Sequence, residues 1–254
     1  MDFRIRLDQA MARRGLVETR SQAESWIGLG QVFVNGKVAG KSGQKVSPSD
    51  KLELRAKEIY VSRAGLKLAS VARSLEVDFK DKLVLDVGSS TGGFTDYALQ
   101  HGAKKVIAVD VGTEQLHPKL RSDPRVELHE KTDIRDVGVG SSELGVGKKV
   151  LLKQFPDIVV IDVSFISLRE VLPSISQLLS PNSQVIAMVK PQFEAGRAQL
   201  TKTGILKNDT IRRQVLKDFE LWSKKHFSII HKADSEVAGS KGNRERFYLL
   251  KRLY

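Results

Sequence analysis

The feature that most limits what this chain can fold into is the apolar run Leu83 to Val87. It leads through Asp86-Val87-Gly88-Ser89-Ser90-Thr91-Gly92-Gly93-Phe94 into Tyr97, Ala98 and Leu99 at helical spacing. A short apolar run, a glycine-rich stretch and a helical period read in order as strand, tight turn and helix. Glycines at a strand end let the backbone approach a ligand closely, and the helix that follows offers unpaired N–H groups. Further strand-like runs are Lys105 to Val109, Val126 to Leu128, Asp157 to Ile161 and Gln184 to Val189. The pattern predicts an α/β class domain with a doubly wound, Rossmann-like sheet.

In such a sheet, ligands sit beyond the carboxyl ends of the strands. Asp86, Asp110, Asp162 and Lys190 all fall at those ends. Asp110 follows the first glycine at about the 20-residue spacing expected of a carboxylate that binds ribose hydroxyls. NAD and S-adenosylmethionine both carry that ribose. A pyrophosphate needs Gly-x-Gly-x-x-Gly, whereas only Gly88, Gly92 and Gly93 are present here, beside Asp86, which would repel it. The same carboxylate suits an ammonium and a sulfonium, so the expected cofactor is S-adenosylmethionine. Its predicted site comprises Asp86, Gly88, Ser89, Ser90, Gly92, Gly93, Phe94 and Asp110. Asp133 reads either as a further contact facing the adenine or as a helix cap before Ile134.

The first sixty residues have a different character. Leu7, Ala10, Met11 and Leu16 predict one helix, and Ala23, Trp26, Ile27 and Leu29 a second, with Ser21 as its expected cap. Val32 and Val34 alternate with polar residues up to Asn35-Gly36, a strong hairpin signal, and Lys51 to Leu54 predicts another strand. Lys and Arg outnumber Asp and Glu by 42 to 30, giving a net charge of +12, so a polyanionic partner is expected. No stretch approaches the ~20 apolar residues that span a bilayer, and the start lacks a secretory apolar core, so a cytoplasmic location is expected. The absence of Cys removes thiolate and Cys-based zinc chemistry, and the five His show no paired metal-ligand spacing, so no metal is expected.

Arg6-Leu7-Asp8, Arg14-Gly15-Leu16, Thr19-Arg20-Ser21-Gln22-Ala23, Gly30-Gln31-Val32 and Val34-Asn35-Gly36-Lys37 closely resemble the alpha-L motif, the RNA-binding module first seen in a small-subunit ribosomal protein. The resemblance implies an RNA-binding module over residues 1–58, gripping shape and phosphates through Arg4, Arg6, Arg13, Arg14, Arg20, Lys37 and Lys41. Lys41-Ser42-Gly43 departs from the usual Lys-Pro-Ser.

The end of the fourth predicted strand lacks the Asn/Asp-Pro-Pro-aromatic motif of enzymes that methylate exocyclic nitrogens, and there is no Cys for pyrimidine C5. A sugar hydroxyl remains as a nucleophile. It must lose its proton during attack, which calls for a nearby base or a cation that stabilises the developing alkoxide. Lys190, directly after an apolar strand, suits that work.

Tyr60 to Leu68, Asp86 to Asp96, Val109 to Val126, Asp162 to Leu168, Val189 to Arg197 and Lys241 to Glu245 resemble the TlyA, or haemolysin A, family over nearly the whole chain. The resemblance implies an FtsJ-like methyltransferase domain over residues 59–254, entered through a 59–63 linker, and a sheet of about seven strands that closes with Phe227 to His231 and Arg246 to Leu250 as an antiparallel pair. It further implies 2′-O-methylation of cytidine in ribosomal RNA, with ribosomal RNA or ribosomal subunits as partners and Lys67, Asp162, Lys190 and Glu245 as a catalytic tetrad. Thr113-Glu114 stands where the family has Tyr-Gly, and Asp133 where it has Asn. Asp136 to Phe155 is expected to be a long glycine-rich loop. Two rival readings are a membrane-active haemolysin, supported only by basic charge, and an RNA-binding assembly factor without turnover.

Overall fold

The computed structural model describes residues 4–55, 60–140, 149–237, 239 and 243–253. The chain begins with strand β1 (Ile5–Arg6), helices α1 (Leu7–Arg13) and α2 (Arg20–Gly28), and strands β2 (Val32–Val34), β3 (Lys37–Val38), β4 (Lys45–Val46) and β5 (Leu52–Leu54). Helix α1 buries Leu7, Ala10 and Met11, the stripe its spacing predicts. The cap of α2 is Thr19 rather than the expected Ser21. Thr19 Oγ1 accepts from Gln22 N while Gln22 Oε1 accepts from Thr19 N, a reciprocal arrangement that requires Gln three residues after the cap. Asn35 and Gly36 turn β2 into β3 with φ of 50° and 78°, the pair of positive values a two-residue hairpin needs.

The remainder alternates helix and strand: α3 (Arg63–Leu75), β6 (Leu83–Val87), α4 (Gly93–Gln100), β7 (Lys105–Val109), α5 (Pro118–Arg121), β8 (Val126–His129), β9 (Val137–Val139), β10 (Val150–Leu152), β11 (Ile158–Ile161), α6 (Leu168–Ser176), β12 (Gln184–Val189), α7 (Pro191–Glu194), α8 (Asp209–Ser223), β13 (Phe227–Asp234) and β14 (Arg246–Arg252). The seven-stranded sheet has the order β13-β14-β12-β11-β6-β7-β8, and β14 alone runs opposite to the other six strands. Its terminal pair is the one expected. The predicted loop over Asp136 to Phe155 is corrected by β9 and β10, which pair in parallel as a separate ribbon; Val137, Val139 and Leu152 are buried there. Residues 141–148, also within that expected loop, lie outside the described residues.

Strands covered on both faces must be apolar throughout. Successive residues of β6 accordingly enter opposite cores: Val84 packs with Leu68, Val71 and Phe94 of α3 and α4, while Leu85 and Val87 pack with Leu168, Val171 and Leu172 of α6. The first core continues through Tyr60 into Leu7, Trp26 and Val32, so the N-terminal module shares it. Gln22 Nε2 donates to the carbonyls of Tyr60 and Val61 at 3.0 and 2.9 Å, and Asp96 Oδ2 accepts from Val61 N at 2.8 Å. The connecting chain is thereby held from both sides.

Candidate functional site

The turn after β6 is built for close approach. Gly88 has φ of +80°, and a Cβ there would stand 2.8 Å from the Asp162 carbonyl oxygen, so only glycine lets the ends of β6 and β11 come so near. Ser90 N donates to Asp110 Oδ2 and Gly112 N to Asp110 Oδ1, both at 2.7 Å, which fixes the carboxylate at the end of β7. Between these ends lies a cavity of about 470 Å³ whose walls include Gly88, Ser90, Asp110, Asp133 and Asp162. Asp133 caps the 3-10 turn Ile134–Asp136 by accepting from Arg135 N, the second of its two sequence readings, and it also stands in the wall of the cavity. Val111 and Ile134 supply apolar walls on which a purine could rest.

The other predicted cofactor residues stand behind that wall. Asp86 and Ser89 are buried, and Asp86 Oδ1 and Ser89 Oγ have no hydrogen-bond partner among the described residues. Gly92 and Gly93 serve packing: a Cβ on Gly92 would meet Leu120 and Leu116, and one on Gly93 would meet Ser62 and Ala64 at the start of α3. Phe94 is a core residue. The cavity, the Asp110 carboxylate in its wall and the buried polar atoms of Asp86 and Ser89 behind it fit an adenosyl group that carries an ammonium.

Burial pushes the Asp86 carboxyl up to about 7, against the lowering effect of Thr95 Oγ1, which donates to Oδ2 at 2.6 Å. The folded protein therefore holds this proton up to about pH 7, whereas the unfolded chain releases it near pH 4. Stability from this group is full below pH 4 and is lost as pH rises through 7. In cofactor-free protein, Asp86→Asn is expected to raise the unfolding free energy at pH 8 by about 2–3 kcal/mol and to change it little at pH 4. Denaturant titrations at both pH values check this; an equal effect at the two would rule out a titrating Asp86.

Asp162 leaves the end of β11 and Lys190 the end of the adjacent β12, and Lys190 Nζ lies 2.6 Å from Asp162 Oδ1 and donates to Ser164 Oγ at 2.6 Å. Burial raises the Asp162 carboxyl, while the charges of Lys190 and Lys67 pull it down. Lys67, on α3, and Glu245, just before β14, form a buried pair with Nζ 2.9 Å from Oε1. Glu245 is seated because residue 239 is glycine: a Cβ there would stand 2.5 Å from Glu245 Oε1. The four residues expected as a tetrad are thus brought to one place. Lys67, Lys190 and Glu245 line a second pocket of about 330 Å³, which meets the first at Ser164 and Phe165.

The FtsJ-like methyltransferase family model matches residues 60–252. The chain belongs to that family. Within this FtsJ-like methyltransferase, the S4-domain model matches residues 5–52, the module set apart by its basic helix pair and hairpin. The protein is 45% identical to YqxC of Bacillus subtilis, named as a candidate rRNA methyltransferase, over 84% of this chain and 73% of that one. It is 36% identical over 99% of its length to the 16S/23S rRNA (cytidine-2′-O)-methyltransferase TlyA of Mycobacterium tuberculosis, of which it covers 91%. Among solved structures, a candidate hemolysin from Streptococcus thermophilus aligns with a TM-score of 0.69 at 39% identity, over 98% of this chain and 88% of that one. No helix among the described residues of this FtsJ-like methyltransferase is long and apolar enough to cross a membrane.

Sequence reasoning missed Phe165. It is 91% exposed, sits at φ of +66° and meets Phe193 with ring centroids 5.2 Å apart, at the junction of the two pockets. A bulky residue in left-handed backbone marks strain retained at a site, but no sequence signal announces it. Asn243 was missed as well: its side chain accepts from Leu206 N and donates to the Gly204 carbonyl, pinning that loop against the second pocket. Glu114, which stands where the resembled family has glycine, sits at φ of +56°, the left-handed backbone that glycine adopts without strain.

The seven basic residues expected on the RNA face separate into two groups and Arg4. Arg6 and Arg20 both pair with buried Asp8, whose carboxyl burial would raise but whose hydrogen bonds hold at about 2. Arg14 donates to the carbonyls of Ser47, Pro48 and Asp50. Arg13, Lys37 and Lys41 are exposed and form no ion pair among the described residues. Arg4 is exposed at the start of β1.

Proposed function

We propose that this FtsJ-like methyltransferase transfers a methyl group from S-adenosylmethionine to the 2′-hydroxyl of a cytidine in ribosomal RNA, using its N-terminal module to hold the RNA. The observation that carries the reading is the meeting of two pockets at Ser164 and Phe165, one walled by Gly88, Asp110 and Asp133 and the other by Lys67, Lys190 and Glu245. The similarity to TlyA along nearly the full chain supports the choice of substrate.

Gly88, Ser90, Asp110 and Asp133 would hold the cofactor, with Asp110 on the ribose hydroxyls and Asp86 electrostatically favouring the ammonium. When bound, S-adenosylmethionine supplies an electrophilic methyl group. Lys190 Nζ offers positive charge to the ribose oxygen as its proton departs, and Asp162 orients Lys190 through their 2.6 Å contact. The Asp162 carboxylate, whose hold on a proton burial strengthens, takes one proton from the Lys190 ammonium as Lys190 takes the one leaving the ribose hydroxyl, so that Lys190 ends as it began. Lys67 and Glu245 fix the opposite wall of the pocket. Phe165 offers an exposed ring on which an extruded base can stack.

Tritium transfer from labelled S-adenosylmethionine to ribosomal subunits from cells lacking the gene tests the reaction. Label is expected at a ribose position, seen as resistance of one phosphodiester bond to alkali. Label on a base, or no transfer to any ribosomal particle, would overturn the reading. For the module, replacing Arg13, Lys37 and Lys41 together by Gln is expected to reduce the slope of log affinity against log salt by about 2–3 for structured RNA, with cofactor affinity unchanged. Filter binding across a salt series measures that slope, and an unchanged slope would place the RNA grip elsewhere.

A further inference from the structure

The Lys190–Asp162 pair stands on two loops that the chain makes independently, one after β11 and one after β12, and useful catalytic geometry requires such groups to be held within about 0.5 Å. Among the described residues, three polar or ring contacts join the loops. The first is the pair itself with its Ser164 neighbour, which must be free to handle a proton. The second is the Phe165–Phe193 ring contact, which cannot anchor anything because Phe165 is exposed. The third is Glu194. Its carboxylate is almost wholly buried, Oε2 accepts from Ser167 Oγ at 2.6 Å and Oε1 from Leu168 N at 2.7 Å, and Arg169 Nε lies 3.6 Å away.

We infer that Glu194 is a positioning residue for methyl transfer, a staple from the loop bearing Lys190 to the loop bearing Asp162 that sets the spacing of the reacting pair. This rests on the reaction proposed above. Glu194 lies four residues beyond Lys190, and Ser167 five beyond Asp162, so the staple closes a short circuit through β11 and β12 with the catalytic contact on its other side. A helix-capping acid alone has no need to come from a neighbouring strand's loop, since Ser167 already caps α6 by accepting from Arg169 N. Burial raises the Glu194 carboxyl, so a neutral group is tolerated there. A glutamine can keep both contacts, its oxygen accepting from Leu168 N and its amide donating to Ser167 Oγ.

The test uses the full chain with Glu194→Ala, Glu194→Gln and the milder Ser167→Ala. In Glu194→Ala, kcat for transfer to ribosomal subunits is expected to fall roughly 10- to 100-fold, with the KM for the particle and the calorimetric affinity for S-adenosylmethionine within about threefold. Glu194→Gln should restore kcat to near wild type, and Ser167→Ala should fall between. A Glu194→Ala protein with a lowered Tm but wild-type kcat at a temperature where it is folded would make Glu194 a helix cap only and overturn the inference. A second measurement does not depend on the substrate. In the crystal structure of Glu194→Ala or Ser167→Ala, Lys190 Nζ is expected to move beyond about 4 Å from Asp162. A retained contact overturns the inference even if the wild-type protein methylates no ribosomal particle, an outcome that by itself refutes the proposed function.

Discussion

Lys190→Ala is expected to lower kcat for methyl transfer about 10³-fold while cofactor affinity stays within several-fold. Loss of one donor to a developing oxyanion typically costs 10²–10³ in rate, and loss of proton handling a similar factor, the two being realised by one group here and therefore not multiplied. Cofactor affinity should persist because Lys190 lines the second pocket and not the cavity walled by Gly88, Asp110 and Asp133. The fold should also persist: Asp162, relieved of its cationic partner, can take up a proton instead of standing as an unpaired charge, since burial already raises its carboxyl. Single-turnover transfer together with calorimetry checks both halves, and wild-type turnover in this variant would remove Lys190 from the chemistry.

Lys67→Met should have the largest effect on stability, about 3–5 kcal/mol, because it strands Glu245 as an uncompensated buried carboxylate. Glu245 Oε1 takes its hydrogen bond from Lys67, and Oε2 is buried with no hydrogen-bond partner among the described residues. Replacing both residues, Lys67→Met with Glu245→Leu, should recover most of that loss, since apolar pairs of similar volume often match buried ion pairs in stability. The double variant is nevertheless expected to be inactive, for it removes the charged wall of the second pocket. Urea unfolding and the transfer assay on the same preparations separate the contributions. A stable, fully active double variant would reduce the Lys67–Glu245 pair to a structural bolt.

The strands of the catalytic sheet were legible because β6, β7, β11 and β12 are buried on both faces and must be apolar along their length. Asp162 and Lys190 were legible for the same reason, each ending such a run. Lys67 and Glu245 could not be read from pattern. They meet across 178 residues because β14 inserts antiparallel between β12 and β13, a topological event without a local signature. Only family resemblance nominated them. The glycine stretch shows the opposite limit: its residue types announce a close approach without saying to what. Gly88 faces a strand end at the cavity, whereas Gly93 makes room for α3. Arginines posed a similar difficulty, since nothing in the composition distinguishes Arg13, exposed, from Arg14, spent on three backbone carbonyls. Segments as short as β9 and β10, three residues each, were hidden by the glycines around them.

The apolar core that runs from Leu7 and Trp26 through Tyr60 into α3 and α4, with Gln22 and Asp96 gripping the joining chain from either side, turns the two halves into a gauge of fixed span. A flexible tether would let the catalytic pocket search many nucleotides around each docking event. For the RNA substrate proposed above, a gauge would admit only a molecule whose folded surface presents a docking shape and a reachable nucleotide at one separation and angle. Under the proposed function, selection would then fall on the tertiary architecture of the RNA rather than on the letters beside the target, and two unrelated sequences that fold to the same span would be read as the same substrate.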